Sequence, residues 1–115
     1  MALRALSPLD GRYVEQVNVL SAYFSEWALI KYRIYVEIEW LITMAERPEI
    51  THVRPFTGDE TELLRALVID FDDEQAKQVK HIEQTTRHDV KAVEYYIKAQ
   101  IKETSLEEIS ESVHF

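Results

Sequence analysis

The sequence has no cysteine and very little glycine or proline, with two glycines and three prolines among 115 residues. Without cysteine, neither a disulfide framework nor a thiolate metal site can form, and a reducing cytoplasmic setting is the natural expectation. Few glycines and prolines, together with many Ala, Leu, Ile, Glu, Lys and Gln residues, favour helices because those residues lose little freedom in a helix. The composition therefore predicts an all-α fold in a single domain, residues 1–115.

Positive charge and long hydrophobic runs are also scarce. Thirteen Lys and Arg residues against 21 Asp and Glu residues give a net charge of -8, which argues against a general nucleic-acid-binding surface. We see no positively charged and then apolar leader. Charged residues interrupt the most apolar stretch, Trp27 to Met44, at Lys31, Arg33, Glu37 and Glu39. We therefore expect a cytoplasmic protein with no membrane partner and no nucleic-acid partner.

Apolar periodicity predicts one long central helix from Ser25 to about Glu46. Its apolar residues form two stripes, which indicates burial on more than one face. The first stripe comprises Trp27, Ile30, Ile34, Ile38 and Leu41, and the second comprises Leu29, Tyr32, Val36 and Trp40. Arg47 followed by Pro48 ends the helix, because the residue before a proline is disfavoured in the helical conformation.

Several shorter helices are predicted to follow a connector from Pro48 to Gly58. Each begins with a capping-box spacing, in which the capping residue is followed three positions later by a residue that can bond back. The pairs are Asp59 with Glu62, Asp72 with Gln75, Thr86 with Asp89, and Ser105 with Glu108. The last helical pattern reaches Phe115 with no stop signal, so we expect the chain to be a piece of a longer protein that continues from there.

Arg87, His88 and Asp89 stand side by side at a predicted helix start. With Thr86 as the cap, Arg87 and His88 occupy the first helical positions, where free N–H groups and the helix dipole favour an anion. Cations there indicate a carboxylate or phosphate ligand, and Asp89 can both cap the helix and orient the imidazole. The alternative is that Arg87 and His88 are solvated and Asp89 only caps.

A second candidate lies in the turn from Asp10 to Tyr13. Arg12 and Tyr13 offer a guanidinium and a phenol, which are the groups that phosphate recognition uses. An ordinary turn with an exposed Arg12 and a packed Tyr13 is the alternative. His114 lies on the unfinished last helix, while His52 and His81 stand alone, as structural histidines usually do.

Metal and cofactor motifs are not found. No two histidines have the spacing of a zinc-binding helix, and the acidic cluster from Asp70 to Asp73 lacks the glycine and later glutamate of a calcium loop. No glycine-rich phosphate loop and no nucleophile-elbow serine occur either. We expect no metal and no cofactor.

Three segments in order resemble one family. SPLDGRY, from Ser7 to Tyr13, resembles that family's SP(L/V)DGRY; TTRHDVKAVEY, from Thr85 to Tyr95, resembles its (T/R)xHDVxAxE(Y/F) segment; and VHF, from Val113 to Phe115, resembles the start of its HFxxTSxDI signature. The family is adenylosuccinate lyase, within the fumarase/aspartase superfamily. The resemblance implies the N-terminal helical domain of that lyase fold, cut just before the central helix-bundle domain.

The resemblance implies a carbon–nitrogen lyase of purine and AMP biosynthesis. Such enzymes cleave adenylosuccinate to AMP and fumarate, and also cleave succinylaminoimidazole carboxamide ribotide. Both reactions are β-eliminations, and the family's active sites are assembled from three subunits of a homotetramer. The general-acid histidine and general-base serine lie in the family's next domain, so the fragment alone is expected to be inactive.

Residue roles follow from the same resemblance. Arg12 and Tyr13 hold the substrate phosphate, His88 contacts the substrate as a catalytic residue with Asp89 orienting it, and Arg87 adds charge nearby. His114 is a possible further site residue. Two alternatives remain open: another lyase of the superfamily, such as argininosuccinate lyase, which leaves the DGRY turn unexplained, and a free-standing helical interaction module whose acidic surface docks a basic partner.

Overall fold

The computed structural model describes residues 3–115, which form helices joined by turns and contain no β-strand. Short 3-10 segments lie at Asn18–Leu20 and Glu107–Ser112. The prediction of an all-α fold is confirmed. The α-helices within this range are α1 (Val14–Val17), α2 (Ser21–Phe24), α3 (Glu26–Glu46), α4 (Gly58–Ile69), α5 (Asp73–Thr86) and α6 (Asp89–Ile101).

Helix α3 is the central packing element, as its periodicity predicts. It has 21 residues, which corresponds to about 32 Å at 1.5 Å per residue. The Ser25 hydroxyl oxygen accepts a hydrogen bond from the Ala28 N–H at 3.1 Å and so caps the helix. Helices α4, α5 and α6 pack around it. The core residues of α3 include Ile30, Ile34, Ile38, Leu41, Ile42 and Met44.

The second apolar stripe of α3 is exposed, so the prediction that it is buried is wrong. Leu29 is 50% exposed, Tyr32 43%, Val36 61% and Trp40 44%. The physical reason is that the other helices pack against the stripe of Ile30, Ile34 and Ile38. Apolar periodicity reports what a face could bury, and it does not report whether a neighbour covers that face.

Capping interactions set the starts of α4 and α5. At α4 the box is Thr57 with Glu60: the Glu60 N–H donates to the Thr57 hydroxyl at 3.1 Å, and the Thr57 N–H donates to the Glu60 carboxylate at 2.9 Å. The predicted box of Asp59 with Glu62 is therefore wrong, because the same spacing occurs two residues earlier and the helix begins there. The Asp72 and Gln75 box is confirmed at the start of α5.

The segment after α6 is a tight turn rather than an α-helix. Ser105 and Glu108 form no capping box, because Ser105 donates instead to the Glu60 carboxylate at 2.6 Å. A 3-10 helix then runs over Glu107–Ser112, and the apolar residues of this segment, Ile109 and Val113, are buried in the core. The predicted last helix is therefore a 3-10 helix and not an α-helix.

Arg54 links this segment to the α3–α4 connector. Its guanidinium donates to both Glu60 oxygens, at 2.9 and 2.8 Å, to Glu108, and to the Ser105 carbonyl at 3.0 Å. Glu60 is buried, with 6% of its surface exposed. A buried carboxylate is stable only when it is paired and hydrogen-bonded, and Arg54 meets that requirement.

The N-terminal part of the described chain packs little. None of the residues from Leu3 to Ser25 is buried, although many are apolar. The predicted turn is present: the Pro8 carbonyl accepts hydrogen bonds from the N–H groups of Gly11 at 3.2 Å and Tyr13 at 2.8 Å. The radius of gyration is 17.0 Å, against about 13 Å for a compact domain of this length. No helix within residues 3–115 has the length and apolarity needed to cross a bilayer.

Candidate functional site

The junction between α5 and α6 holds the Arg-His-Asp sequence. Helix α5 continues through Thr86, and Arg87 ends it in the left-handed conformation, with φ 56° and its N–H donating to the Glu83 carbonyl at 2.8 Å. His88 is extended, and α6 begins at Asp89. The prediction that Thr86 caps α6 and that Arg87 and His88 lie in its first turn is wrong, because the preceding helix takes up Thr86 and leaves a two-residue junction.

His88 itself is the N-cap of α6. Its Nδ1 accepts a hydrogen bond from the Lys91 N–H at 3.2 Å, so the imidazole takes the place of the usual hydroxyl or carboxylate cap. The Thr86 hydroxyl fixes the His88 backbone, accepting from its N–H at 3.2 Å and donating to its carbonyl at 3.0 Å. Because Nδ1 accepts, the neutral ring carries its proton on Nε2. The side chain is 61% exposed, so this N–H is available to a ligand.

Asp89 pairs with Arg33 of α3 rather than with His88. Arg33 donates to Asp89 Oδ2 at 2.8 Å, and the Val90 N–H donates to Oδ1 at 2.9 Å. The Arg33 hydrogen bond, with help from the Val90 N–H, lowers the pKa of Asp89. Asp89 Oδ1 lies 3.9 Å from His88 Nδ1, beyond hydrogen-bond distance. The expected orienting contact is absent from this structure, and the Lys91 N–H orients the imidazole instead.

His114 is held by a second side chain of α3. Its Nδ1 lies 2.6 Å from Glu37 Oε1, and the Glu37 side chain is only 17% exposed. Glu37 follows Arg33 by four residues, so the two charged side chains lie on the same face of α3, one turn apart. Helix α3 thereby connects the α5–α6 junction to the end of the described chain.

A groove runs between α3 and α6 beside these contacts. Its volume is about 290 Å³. Its walls carry the charged side chains of Arg33 and Glu37 within an otherwise mainly apolar surface. No group of three or more histidine or acidic residues within residues 3–115 is arranged to hold a metal ion. The other lining residues are Leu29, Tyr32, Val36, Val90 and Val93.

Arg12 and Tyr13 lie apart from this group. Both are exposed on the N-terminal turn, and the Arg12 guanidinium carbon lies 5.3 Å from the Tyr13 ring centroid, in a cation–π arrangement. Within the described chain, no hydrogen bond or ion pair joins either residue to Arg87, His88 or His114. The structure thus brings the Arg-His-Asp junction and His114 onto α3, and leaves the Arg12 and Tyr13 pair on a separate segment.

The sequence pattern does not identify Arg33 and Glu37 as site residues, because in the sequence they only interrupt an apolar run. The available signal was their position: opposite charges four residues apart in a helix whose neighbouring residues are apolar lie on one face, and charges at the margin of a core need partners. Those partners, Asp89 and His114, lie 56 and 77 residues away in sequence, so only the tertiary structure identifies them.

Nearly the whole chain is similar in sequence to named proteins. The chain is 47% identical over 114 residues to adenylosuccinate lyase of Haemophilus influenzae, covering 98% of this chain and 25% of that protein. It is 44% identical over 115 residues to the Escherichia coli enzyme of the same name, covering 99% of this chain and 25% of that protein. The Dictyostelium discoideum adenylosuccinate lyase is 46% identical over 117 residues, again covering 98% and 25%. No family model matches the chain.

These relatives all belong to one class of protein, the lyases. Relatives that align with almost every residue of this all-α chain are lyases by name. By sequence, the chain belongs to the adenylosuccinate lyase family. It spans about a quarter of the length of the curated relatives it matches. The resemblance inferred from three short segments is therefore confirmed.

Proposed function

We propose that this chain is the N-terminal helical domain of an enzyme that eliminates fumarate from adenylosuccinate to give AMP. The same site would cleave succinylaminoimidazole carboxamide ribotide in purine biosynthesis. The observation that carries the proposal is the 47% identity to a named adenylosuccinate lyase, which extends over 98% of the chain. The cluster of Arg87, His88 and Asp89 at the α5–α6 junction adds chemical support, because it offers cationic and N–H donors to an anionic substrate.

The reaction needs donors aimed at a developing negative charge. A base removes a proton from the carbon beside a carboxylate, the carbon–nitrogen bond breaks, and the leaving nitrogen takes up a proton. The electrons pass through a carbanion of aci-carboxylate form, which needs positive or N–H donors close to its oxygens. His88 Nε2–H would donate to a substrate carboxylate, and Arg87 would add positive charge beside it. Asp89 would hold the α5–α6 junction in place through its ion pair with Arg33 of α3.

Arg12 and Tyr13 would bind the substrate phosphate. A guanidinium donates in a fixed fork that matches phosphate oxygens, and a phenol adds one more donor. Their exposed turn leaves both groups accessible to a ligand. A phosphate-free substrate, as in argininosuccinate lyase, gives this pair no comparable purpose, so the adenylosuccinate assignment is preferred.

The remaining catalytic groups would come from outside these 115 residues. We propose that the general acid and general base lie in the rest of a full-length cytoplasmic homotetramer, which needs no cofactor, nucleic acid or membrane. The chain alone would bind substrate groups but would not turn substrate over.

Fumarate release tests this proposal. The full-length protein that contains this chain should release fumarate from adenylosuccinate, whereas the purified 115-residue chain should not. A full-length protein that leaves adenylosuccinate intact would contradict the assignment. Turnover by the isolated chain would contradict the proposal that the general acid and the general base lie outside these 115 residues.

A further inference from the structure

We propose that Glu37 is a positioning residue that fixes the His114 imidazole with its proton on Nδ1, so that the neutral Nε2 accepts a hydrogen bond. His88 has the opposite arrangement, with Nε2 as a donor. The two histidines would therefore present one donor and one acceptor to the same ligand. The identity of that ligand rests on the proposed function, whereas the assignment of the two protons does not.

The first step is the contact itself. Glu37 Oε1 lies 2.6 Å from His114 Nδ1, a short distance of the kind seen when one partner is charged. An ionised carboxylate only accepts hydrogen bonds, so the proton between the two atoms belongs to Nδ1. In a neutral ring this leaves a lone pair on Nε2. The His114 side chain is 47% exposed, which leaves part of the ring accessible to a ligand.

The second step is that the segment carrying His114 is anchored on both sides. Before it, Val113 is buried, with 4% of its surface exposed, and the Ser112 hydroxyl donates to the His52 carbonyl at 3.2 Å. After it, the Phe115 ring lies 4.3 Å from the His52 ring, centroid to centroid. These contacts hold the backbone in place while the imidazole meets Glu37.

The third step is the backbone conformation of His114. Its φ is 62°, in the left-handed region that residues other than glycine adopt at a cost. Arg87, beside His88, has φ 56°. Such conformations persist only where the surrounding contacts determine them, and they are often found at functional sites. Here one of the two is His114 itself and the other adjoins His88, whereas a third such residue, Glu103 with φ 65°, adjoins no histidine.

The fourth step is the spacing on α3. Arg33 holds Asp89, which adjoins His88, and Glu37 holds His114. Four residues of α-helix rise about 6 Å, so the two anchors are one turn apart along the same groove. Arg33 and Glu37 both line that groove, so a ligand that lies along it would pass both anchors.

Opposite proton positions suit a substrate that carries both kinds of group. A carboxylate or phosphate oxygen would accept from His88 Nε2–H, and an amine N–H or a ribose hydroxyl would donate to His114 Nε2. If both rings carried their proton on Nε2, the amine N–H or ribose hydroxyl of the substrate would face a second donor and could not form this hydrogen bond. Glu37 would thus act on substrate orientation through His114, without touching the substrate.

Nuclear magnetic resonance of the imidazole nitrogens tests the assignment directly. In the full-length protein with ¹⁵N-labelled histidines, at a pH where both rings are neutral, His114 should show a protonated Nδ1 and His88 a protonated Nε2. Glu37→Ala should move the His114 proton to Nε2 and leave His88 unchanged. The matched control is Glu39→Ala, which removes another partnered carboxylate of α3, the one bound to Arg65, and should leave both histidines unchanged.

Two results would overturn the inference: a wild-type His114 protonated on Nε2, or a Glu37→Ala variant with the wild-type His114 signals. Glu37→Met provides a second variant if the alanine variant does not fold, because its side chain has a similar length but no carboxylate to accept from Nδ1, and it should likewise move the His114 proton to Nε2. None of these spectra depends on turnover. An enzyme without lyase activity would therefore defeat the proposed function while leaving this test intact.

Discussion

Arg33 and Asp89, 56 residues apart in sequence, form an ion pair in which the guanidinium nitrogen lies 2.8 Å from the carboxylate oxygen. The pair ties the middle of α3 to the first residue of α6, immediately after His88. Since Asp89 does not contact the imidazole by a hydrogen bond, its effect on His88 is exerted through the backbone of the α5–α6 junction. The His88 ring is thus held by the Lys91 N–H, whereas the Asp89 carboxylate is held by Arg33.

Replacing Arg33 should release Asp89. In Arg33→Leu we expect the pKa of Asp89 to rise toward its ordinary value, because the hydrogen bond that lowers it most is lost. A group with a lowered folded-state pKa stabilises the fold above its ordinary pKa, and this stabilisation is lost as the pH falls through the folded value. The variant should therefore lose less stability on acidification. Titration of the Asp89 carboxyl carbon measures the shift, and Arg65→Leu, which breaks the pair with Glu39, should leave it unchanged.

The two faces of α3 should respond differently to truncation. Ile34→Ala removes a side chain that is fully buried and should lower the free energy of unfolding by about 2–5 kcal/mol. Val36→Ala, two residues along the helix, truncates a side chain that is 61% exposed and should change it by about 0.5 kcal/mol or less. Urea unfolding followed by circular dichroism compares the two. A large loss in Val36→Ala would show that the second stripe is buried in solution.

Glu60 should make the fold sensitive to acid. The hydrogen bonds from Arg54, Ser105 and the Thr57 N–H hold the pKa of Glu60 well below its ordinary value of 4.5. The lowered pKa means that its contribution is present above that ordinary value and decreases as the pH falls below it. Glu60→Gln should therefore lower Tm at neutral pH and flatten the dependence of Tm on pH in the acid range. Equal slopes in wild type and variant would contradict this role.

Arg12 should matter for substrate affinity more than for turnover. In the full-length protein, Arg12→Ala should raise KM for adenylosuccinate by about 10- to 100-fold, because a hydrogen bond to a charged group contributes about 1.5–3 kcal/mol. The rate constant kcat should change less. Arg4→Ala, which removes another exposed arginine from the same N-terminal segment, is the matched control. An unchanged KM in Arg12→Ala would remove the phosphate role.

Local sequence signals predicted those features that depend on residues close in the chain. The extent of α3, the Asp72 and Gln75 cap and the turn before Tyr13 all follow from side chains within a few positions of one another. The predicted start of α6 is wrong because Thr86 and, two residues later, His88 can each serve as a cap. Histidine is an uncommon N-cap, so a hydrogen bond from a backbone N–H to its imidazole is not expected from sequence. Helix propensity also does not indicate that α5 continues through Thr86.

Long-range pairing limited the prediction of the site. His88 and Asp89 could be selected from pattern and resemblance, but Arg33, which supports Asp89 from 56 residues away, could not be assigned to it. Glu37 and His114 are 77 residues apart, and no spacing rule connects them. The exposed stripe of Leu29, Tyr32, Val36 and Trp40 shows the same limit. Apolar periodicity indicates which face of a helix could be buried, but not whether another element packs against that face.

The most direct test separates the cap from the chemistry of His88 in the full-length protein. Asparagine is a preferred N-cap, so His88→Asn should keep the thermal stability of the wild type, while His88→Ala should lower it. If the imidazole serves the substrate, His88→Asn should nevertheless release fumarate from adenylosuccinate about 100-fold more slowly. Wild-type turnover in a stable His88→Asn variant would show that His88 only caps the helix.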